Sequence, residues 1–149
     1  MYRQKIYHPN SFYHLYNRGN RKNLIYFQQE DYSRFLSLQY RFLKFYNLMI
    51  YSYCLMPNHF HILINSGSKP EEITSYMHRF MTSYAIYLNR KYQLVGRVFQ
   101  SPYKAKYIPN KEILKKVSKY IKENPVKAGL VRNSHDYKWL MEASIIDIV

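Results

Sequence analysis

The sequence predicts an α+β fold of the split βαβ kind, an antiparallel sheet with helices packed on one face. Three observations predict it. Apolar residues recur at strand and helix spacing in the order β-α-β-β-α-β-α; two strand-like runs are separated only by Met56-Pro57-Asn58; and no internal repeat, low-complexity tract or Pro/Gly/Ser linker interrupts the pattern. Residues 1–149 therefore read as one domain, within the roughly 100–150 residues common for a domain.

Phe12 to Tyr16 reads as a first strand, closed by the turn-like Asn17-Arg18-Gly19-Asn20. From about Gln28 to Tyr46, residues Tyr32, Phe35, Leu36, Phe42, Leu43 and Tyr46 follow helical spacing. Leu48 to Met56 is rich in β-formers and His59 to Asn65 resumes as a second strand of a hairpin. Ser68-Lys69-Pro70-Glu71 carries a helix-start signal, a capping Ser with Glu three residues on, and the helix after it is expected to reach about Arg90. Gly96 to Ile108 reads as extended, with Pro102 implying an edge or a bulge. Asn110 can cap a last helix that runs through Asn124, where Pro125 is expected to end it.

Composition narrows the function classes. With 23 Lys+Arg against 9 Asp+Glu, the net charge is +14, which concentrates anions at the surface. Eighteen Tyr and eight Phe stand among these basic residues. Aromatic faces beside cations suit unpaired bases, at about 1–3 kcal/mol per stacked base. The same composition would also follow from the Lys- and Tyr-rich usage of an AT-rich genome. The single Cys54 cannot form an internal disulfide. There is no signal-peptide-like apolar run at the start and no stretch of about 18 apolar residues, so the expectation is a cytoplasmic protein that does not engage a membrane. With only four glycines, a Gly-rich phosphate loop is excluded.

His59-Phe60-His61 is the sharpest local feature. Alternation on a strand sends both imidazoles to one face, where they can share a divalent ion, or stand as two half-exposed histidines with no ligand. A histidine-triad hydrolase would need another alternating His, and position 63 is Leu63. On the last helix, Tyr120 and Asn124 share one stripe at the border of the apolar arc Ile113, Val117 and Ile121. By spacing alone the reading that prevails is the plain one, a core-edge aromatic and a helix-terminating residue before Pro125.

Four blocks, in order, change that balance. MPNHFHIL at 56–63 and YIKENPVKAGLV at 120–131, with YHLYNRGNRKNLIYF at 13–27 and GRVFQ at 96–100, resemble the single-tyrosine HUH transposases, specifically the REP-associated tyrosine transposase group. The resemblance spans about Tyr13 to Trp139. It implies a ferredoxin-like fold that cuts and rejoins single-stranded DNA beside small hairpins. It also implies Tyr120 as nucleophile and His59, His61 and Asn124 as ligands of Mg²⁺ or Mn²⁺. One departure is Ser101-Pro102, where such proteins often have a small residue and an arginine; Lys104 and Lys106, on one strand face by alternation, are left to meet phosphates.

The implied chemistry is attack of Tyr120 on phosphorus, giving a 5′-phosphotyrosine and a free 3′-hydroxyl, with bond energy kept for resealing. The ion would polarise a phosphate oxygen, which a phenol of ordinary pKa near 10 needs. Arg18, Arg21 and Lys22 after the first strand, with Arg97, Lys104 and Lys106, are candidate nucleic-acid contacts; for each cluster a solvated face is the competing reading. The same element order also describes RNA-recognition modules, with Tyr51 and Tyr53 as stacking platforms and no catalysis. A nuclease acting without a covalent intermediate is a third class. A homodimer exchanging tyrosine helices and a monomer are both compatible with the sequence.

Overall fold

The computed structural model of the protein describes residues 5–142. Residues 1–4 and 143–149 of the expected domain lie outside the described residues. Strand β1 (Phe12–Arg18) is followed by α1 (Gln29–Tyr46), the hairpin β2 (Met49–Met56) and β3 (His59–Asn65), and α2 (Glu72–Tyr92). Then come β4 (Lys104–Ile108), α3 (Lys111–Lys127) and a short β5 (Leu140–Met141). The strands form one antiparallel sheet in the order β4-β1-β3-β2-β5. This is the expected α+β arrangement, with β5 as an additional edge strand.

Period-2 alternation divides the sheet into two faces. Tyr13 and Leu15 of β1, Leu55 of β2, and Phe60, Ile62 and Ile64 of β3 point to one side, where α1 and α2 supply Phe35, Phe42, Tyr76, Phe80 and Tyr84. Phe35, Phe60, Phe80 and Tyr84 are fully buried there. Truncating a buried ring of this kind to Ala costs about 3–5 kcal/mol. The expectation of helices on one face holds for these two crossover helices. The third helix lies across the opposite face, where Leu114 and Ile121 pack on Cys54, Met56, Leu63 and Ile108.

Several boundaries differ from the sequence reading. Ser68 does not cap α2: the first helical residue is Glu72, Glu71 precedes it without a side-chain cap, and Ser68 to Glu71 form a turn. Of the extended stretch expected from Gly96, only Lys104–Ile108 joins the sheet, as its edge, with Phe99 bridging singly to Gly19. Pro125 does not end α3; it sits buried in the last turn, and the helix continues to Lys127. A proline near a helix end forfeits one backbone bond, and packing of its ring compensates here. The stop is Gly129, left-handed at φ 74°, with the Leu130 amide donating to the Pro125 carbonyl at 3.0 Å. Among the described residues, no helix is long and apolar enough to cross a membrane.

Candidate active site

The face that carries α3 is apolar at one end and polar at the other. Pairing sets Phe12 opposite Ile108, His14 opposite Lys106 and Tyr16 opposite Lys104, and on the other flank of β1, Tyr16 opposite His61 and Arg18 opposite His59. These side chains share a face because each is two residues from the next along its strand. A cleft of about 430 Å³ opens over the polar end, lined by Tyr16, Arg18, His59, His61, Lys104 and Tyr120 among others.

The two imidazoles of β3 lie with ring centroids 5.1 Å apart. His59 Nδ1 is 2.7 Å from Asn58 Oδ1. An amide oxygen only accepts, so Nδ1 carries the proton and Nε2 keeps its lone pair. His61 Nδ1 lies 2.9 Å from His14 Nε2, and His61 Nε2 lies 3.3 Å from Asn124 Nδ2. Burial disfavours the charged form of both rings. It lowers the pKa of His61 to about 3, helped by His14 and His59; burial also lowers that of His59, opposed by a hydrogen bond with Asn124 and helped by the Arg18 charge. His14 falls to about 4 through burial and the nearby Lys106 ammonium.

Asn110 starts α3 by accepting the Ile113 amide at 2.9 Å. With Leu114 and Ile121 buried on the sheet, helical spacing brings Tyr120 and Asn124 over the histidines. The Tyr120 ring stands 5.5 Å from that of His61 and is about half exposed, 48%. Tyr120, Asn124, His59 and His61 therefore meet on one face of a single chain.

A divalent ion fits the donors present. Two neutral imidazoles can present lone pairs toward one region, and each has its other nitrogen already engaged, the usual state of a ligating histidine. Among the described residues, no cluster of three or more His, Cys, Asp or Glu side chains has metal-binding geometry. A third protein donor from α3 is the Asn124 amide, which bonds His61. Carbonyl oxygen with imidazole suits manganese or magnesium less exclusively than carboxylates would, and leaves room for water and phosphate oxygens.

The basic candidates divide. Arg18 and Lys104 line the cleft, with Arg18 Nε donating to Gln100 Oε1 at 2.7 Å. Lys106 lies one pair further along β4, its ammonium 5.7 Å from the Tyr16 ring. Arg21, Lys22 and Arg97 do not line the cleft. The first two are exposed in a left-handed turn at φ 56° and 61°, joined to the Arg97 loop where the Asn20 amide donates to the Val98 carbonyl at 2.8 Å. Gly19 enters that turn because a Cβ would stand 2.1 Å from the Asn23 carbonyl oxygen. Ser101 is tied to β1, its carbonyl accepting from Asn17 Nδ2 at 2.8 Å, so the departure at Ser101-Pro102 still presents a wall to the cleft.

His14, Tyr16, Asn58 and Gln100 belong to the site without any sequence motif that marks them. The signal for His14 and Tyr16 was their shared parity on β1; without the register with β3, parity does not say which neighbours they meet. Tyr16 shares the cleft with Tyr120, whereas the tyrosines of α2 lie away from it. Tyr76 and Tyr84 are fully buried on the opposite face, Tyr84 donating to the Ile25 carbonyl, and Tyr87 donates to Asp31. Burial pushes the Cys54 thiol up to about 12. Tyr51 packs against Phe12 with ring centroids 5.1 Å apart, and α3 covers the sheet face that an RNA-recognition module leaves open.

Comparisons with known proteins agree with this architecture. The family model for IS200-like transposases matches residues 8–124. A solved REP-associated tyrosine transposase, bound to a REP hairpin, superposes with a TM-score of 0.79 at 15% identity, covering 94% of this chain and 81% of that one. A candidate transposase from Deinococcus radiodurans R1 superposes with a TM-score of 0.54 at 13% identity, covering 83% of this chain and 97% of that one. Among curated proteins, none matches the sequence.

Proposed function

Since the chain belongs to the IS200-like transposase family, we propose that it cuts and rejoins single-stranded DNA through a phosphotyrosine, with Tyr120 as the nucleophile. The observation that carries this reading is the meeting of Tyr120, His59 and His61 in one cleft, with Asn124 bonded to His61. His59 Nε2, His61 Nε2 and the Asn124 carbonyl oxygen, once that amide turns from His61 Nε2, would hold Mg²⁺ or Mn²⁺. When bound, the ion supplies Lewis-acid polarisation of a non-bridging phosphate oxygen.

The chain's own groups do the rest. Arg18 and Lys104, on the cleft wall, hold the phosphates flanking the scissile bond. The Tyr120 hydroxyl oxygen bonds to phosphorus as the bond to the 3′ oxygen breaks. The phenol gives up one proton and the departing 3′ oxygen gains one, so the products are a 5′-phosphotyrosine and a 3′-hydroxyl. A second 3′-hydroxyl reverses the step without an added energy source.

The solved relative's REP hairpin supports hairpin-containing DNA as the substrate class for this chain. Because the four groups come from one chain, a monomer, one domain acting on DNA in the cytoplasm, suffices for the chemistry. The test is incubation with Mg²⁺ or Mn²⁺ and single strands carrying hairpins. The expected product is a protein–DNA adduct that survives denaturation and is absent with chelator. Metal-dependent cleavage with no adduct would replace this reading with a hydrolytic nuclease. Binding with neither would favour the non-catalytic RNA- or DNA-binding module.

A further inference from the structure

His61 has two ring nitrogens, and only one of them faces the Asn124 side of the cleft. The other, Nδ1, lies 2.9 Å from Nε2 of His14, in a contact closed to solvent. His14 stands on β1 opposite Leu63, so it meets His61 diagonally across the β1–β3 pair, within reach of ring side chains. It is confined on three sides. Its ring centroid is 4.8 Å from that of Tyr16, 5.1 Å from that of His61 and 6.3 Å from that of Tyr120.

We propose that His14 is a positioning residue that fixes the tautomer and ring angle of His61, so that the lone pair of Nε2 faces the ion site. The proposal rests on the metal reading above. The Asn124 amide nitrogen lies 3.3 Å from His61 Nε2 and can only donate, so Nε2 is the unprotonated nitrogen. The His61 proton is then on Nδ1, which donates to His14 Nε2, and His14 carries its own proton on Nδ1. His59 is held in the same tautomer by a different group, the Asn58 amide oxygen at 2.7 Å. Each of the two imidazoles thus has its own clamp. Without its clamp, His61 can flip or protonate Nε2, and the ion site loses one donor. Replacing such an outer partner typically weakens metal binding by about 10–100-fold.

The direct test needs no variant and no DNA. Long-range ¹H–¹⁵N spectra of the metal-free protein report which imidazole nitrogen bears the proton. For His61 the expected result is the Nδ1–H tautomer; an Nε2–H tautomer would overturn the proposal. The second measurement is the Mn²⁺ dissociation constant, by electron paramagnetic resonance or calorimetry, without DNA. Wild type is compared with His14→Phe, His14→Gln and His61→Ala, each checked for its thermal midpoint in chelator. His14→Phe fills the space but accepts nothing, and is expected to bind Mn²⁺ about 10–100-fold more weakly. His14→Gln keeps an acceptor and is expected to recover most of that loss. A folded His14→Phe that binds like wild type, while His61→Ala does not, overturns the proposal and leaves the metal reading standing. Wild-type binding by His61→Ala overturns the metal reading, and this proposal with it.

Discussion

Tyr120 of α3 stands edge-on to His61 of β3, their ring centroids 5.5 Å apart and their planes at 83°. The contact exists within one chain because Leu114 and Ile121 dock α3 on the sheet face that also carries the histidines. With Tyr120 as nucleophile acting on the histidines of its own chain, the two halves of the site cannot complement each other across chains. Mixing Tyr120→Phe with the His59→Ala/His61→Ala double variant is therefore expected to yield no DNA adduct. Restored adduct formation in the mixture would mean that tyrosine helices are exchanged between chains.

Single-stranded DNA affinity is expected to fall steeply with salt, since cations release counterions from each phosphate they meet. For single strands, each such contact contributes about 0.7 to the slope of log affinity against log salt. Arg18→Ala and Lys104→Ala, on the cleft wall, are each expected to reduce the slope by about that amount. Titration of wild type at two ionic strengths, then of each variant, checks this; an unchanged affinity contradicts it.

Stability without metal is expected to decline in mild acid. The pKa values of His14 and His61, about 4 and about 3 in the folded chain, lie below the ordinary 6.5. The unfolded chain therefore takes up protons that the folded one refuses. The contribution is full above about pH 6.5 and is lost as the pH falls toward those lower values. At pH 5 the loss amounts to about 2 kcal/mol per imidazole. Denaturant unfolding at pH 7.5 and pH 5.0, in chelator, should show this loss in wild type. The His14→Phe/His61→Phe double variant should show a much shallower dependence.

Asp31 joins the start of α1 to the end of α2. Its buried carboxylate accepts from the Phe27 and Gln28 amides at 2.9 and 3.0 Å, from Tyr87 and Tyr92 at 2.8 and 2.6 Å, and from Lys91 at 2.9 Å. Burial pushes its pKa up, but the bonds from Tyr92, Lys91, Phe27 and Tyr87 outweigh this and bring it to about 2. Asp31→Ala strands these donors and is expected to lower stability by about 3 kcal/mol, read as a denaturation midpoint. DNA binding by the folded variant should not change, since Asp31 lies on the face away from the cleft.

The sequence pattern was most legible where one periodicity ran without competition. His59-Phe60-His61 alternates between an apolar face and the cleft, and the β2–β3 hairpin broke at Met56-Pro57-Asn58 as read. Tyr120 and Asn124 lie on the shared stripe that their spacing gave. Pro125 misled because its local effect, a lost backbone bond, is offset by burial, which only tertiary packing supplies. Ser68 misled because a turn satisfies the amides a cap would have served. The face chosen by α3 was hidden for a related reason: a helix with one apolar arc can cover either side of a sheet. His14 was illegible as a site residue because its role depends on a diagonal contact across strands.

The most direct measurement maps the DNA-linked residue. Wild-type protein is incubated with a hairpin-bearing single strand and Mg²⁺, denatured and digested, and the nucleotide-bearing peptide is sequenced by mass spectrometry. With Tyr120 as the nucleophile, the phosphodiester is expected on that residue, with no adduct from Tyr120→Phe. An adduct on Tyr16, which shares the cleft, or wild-type adduct from Tyr120→Phe, would contradict it.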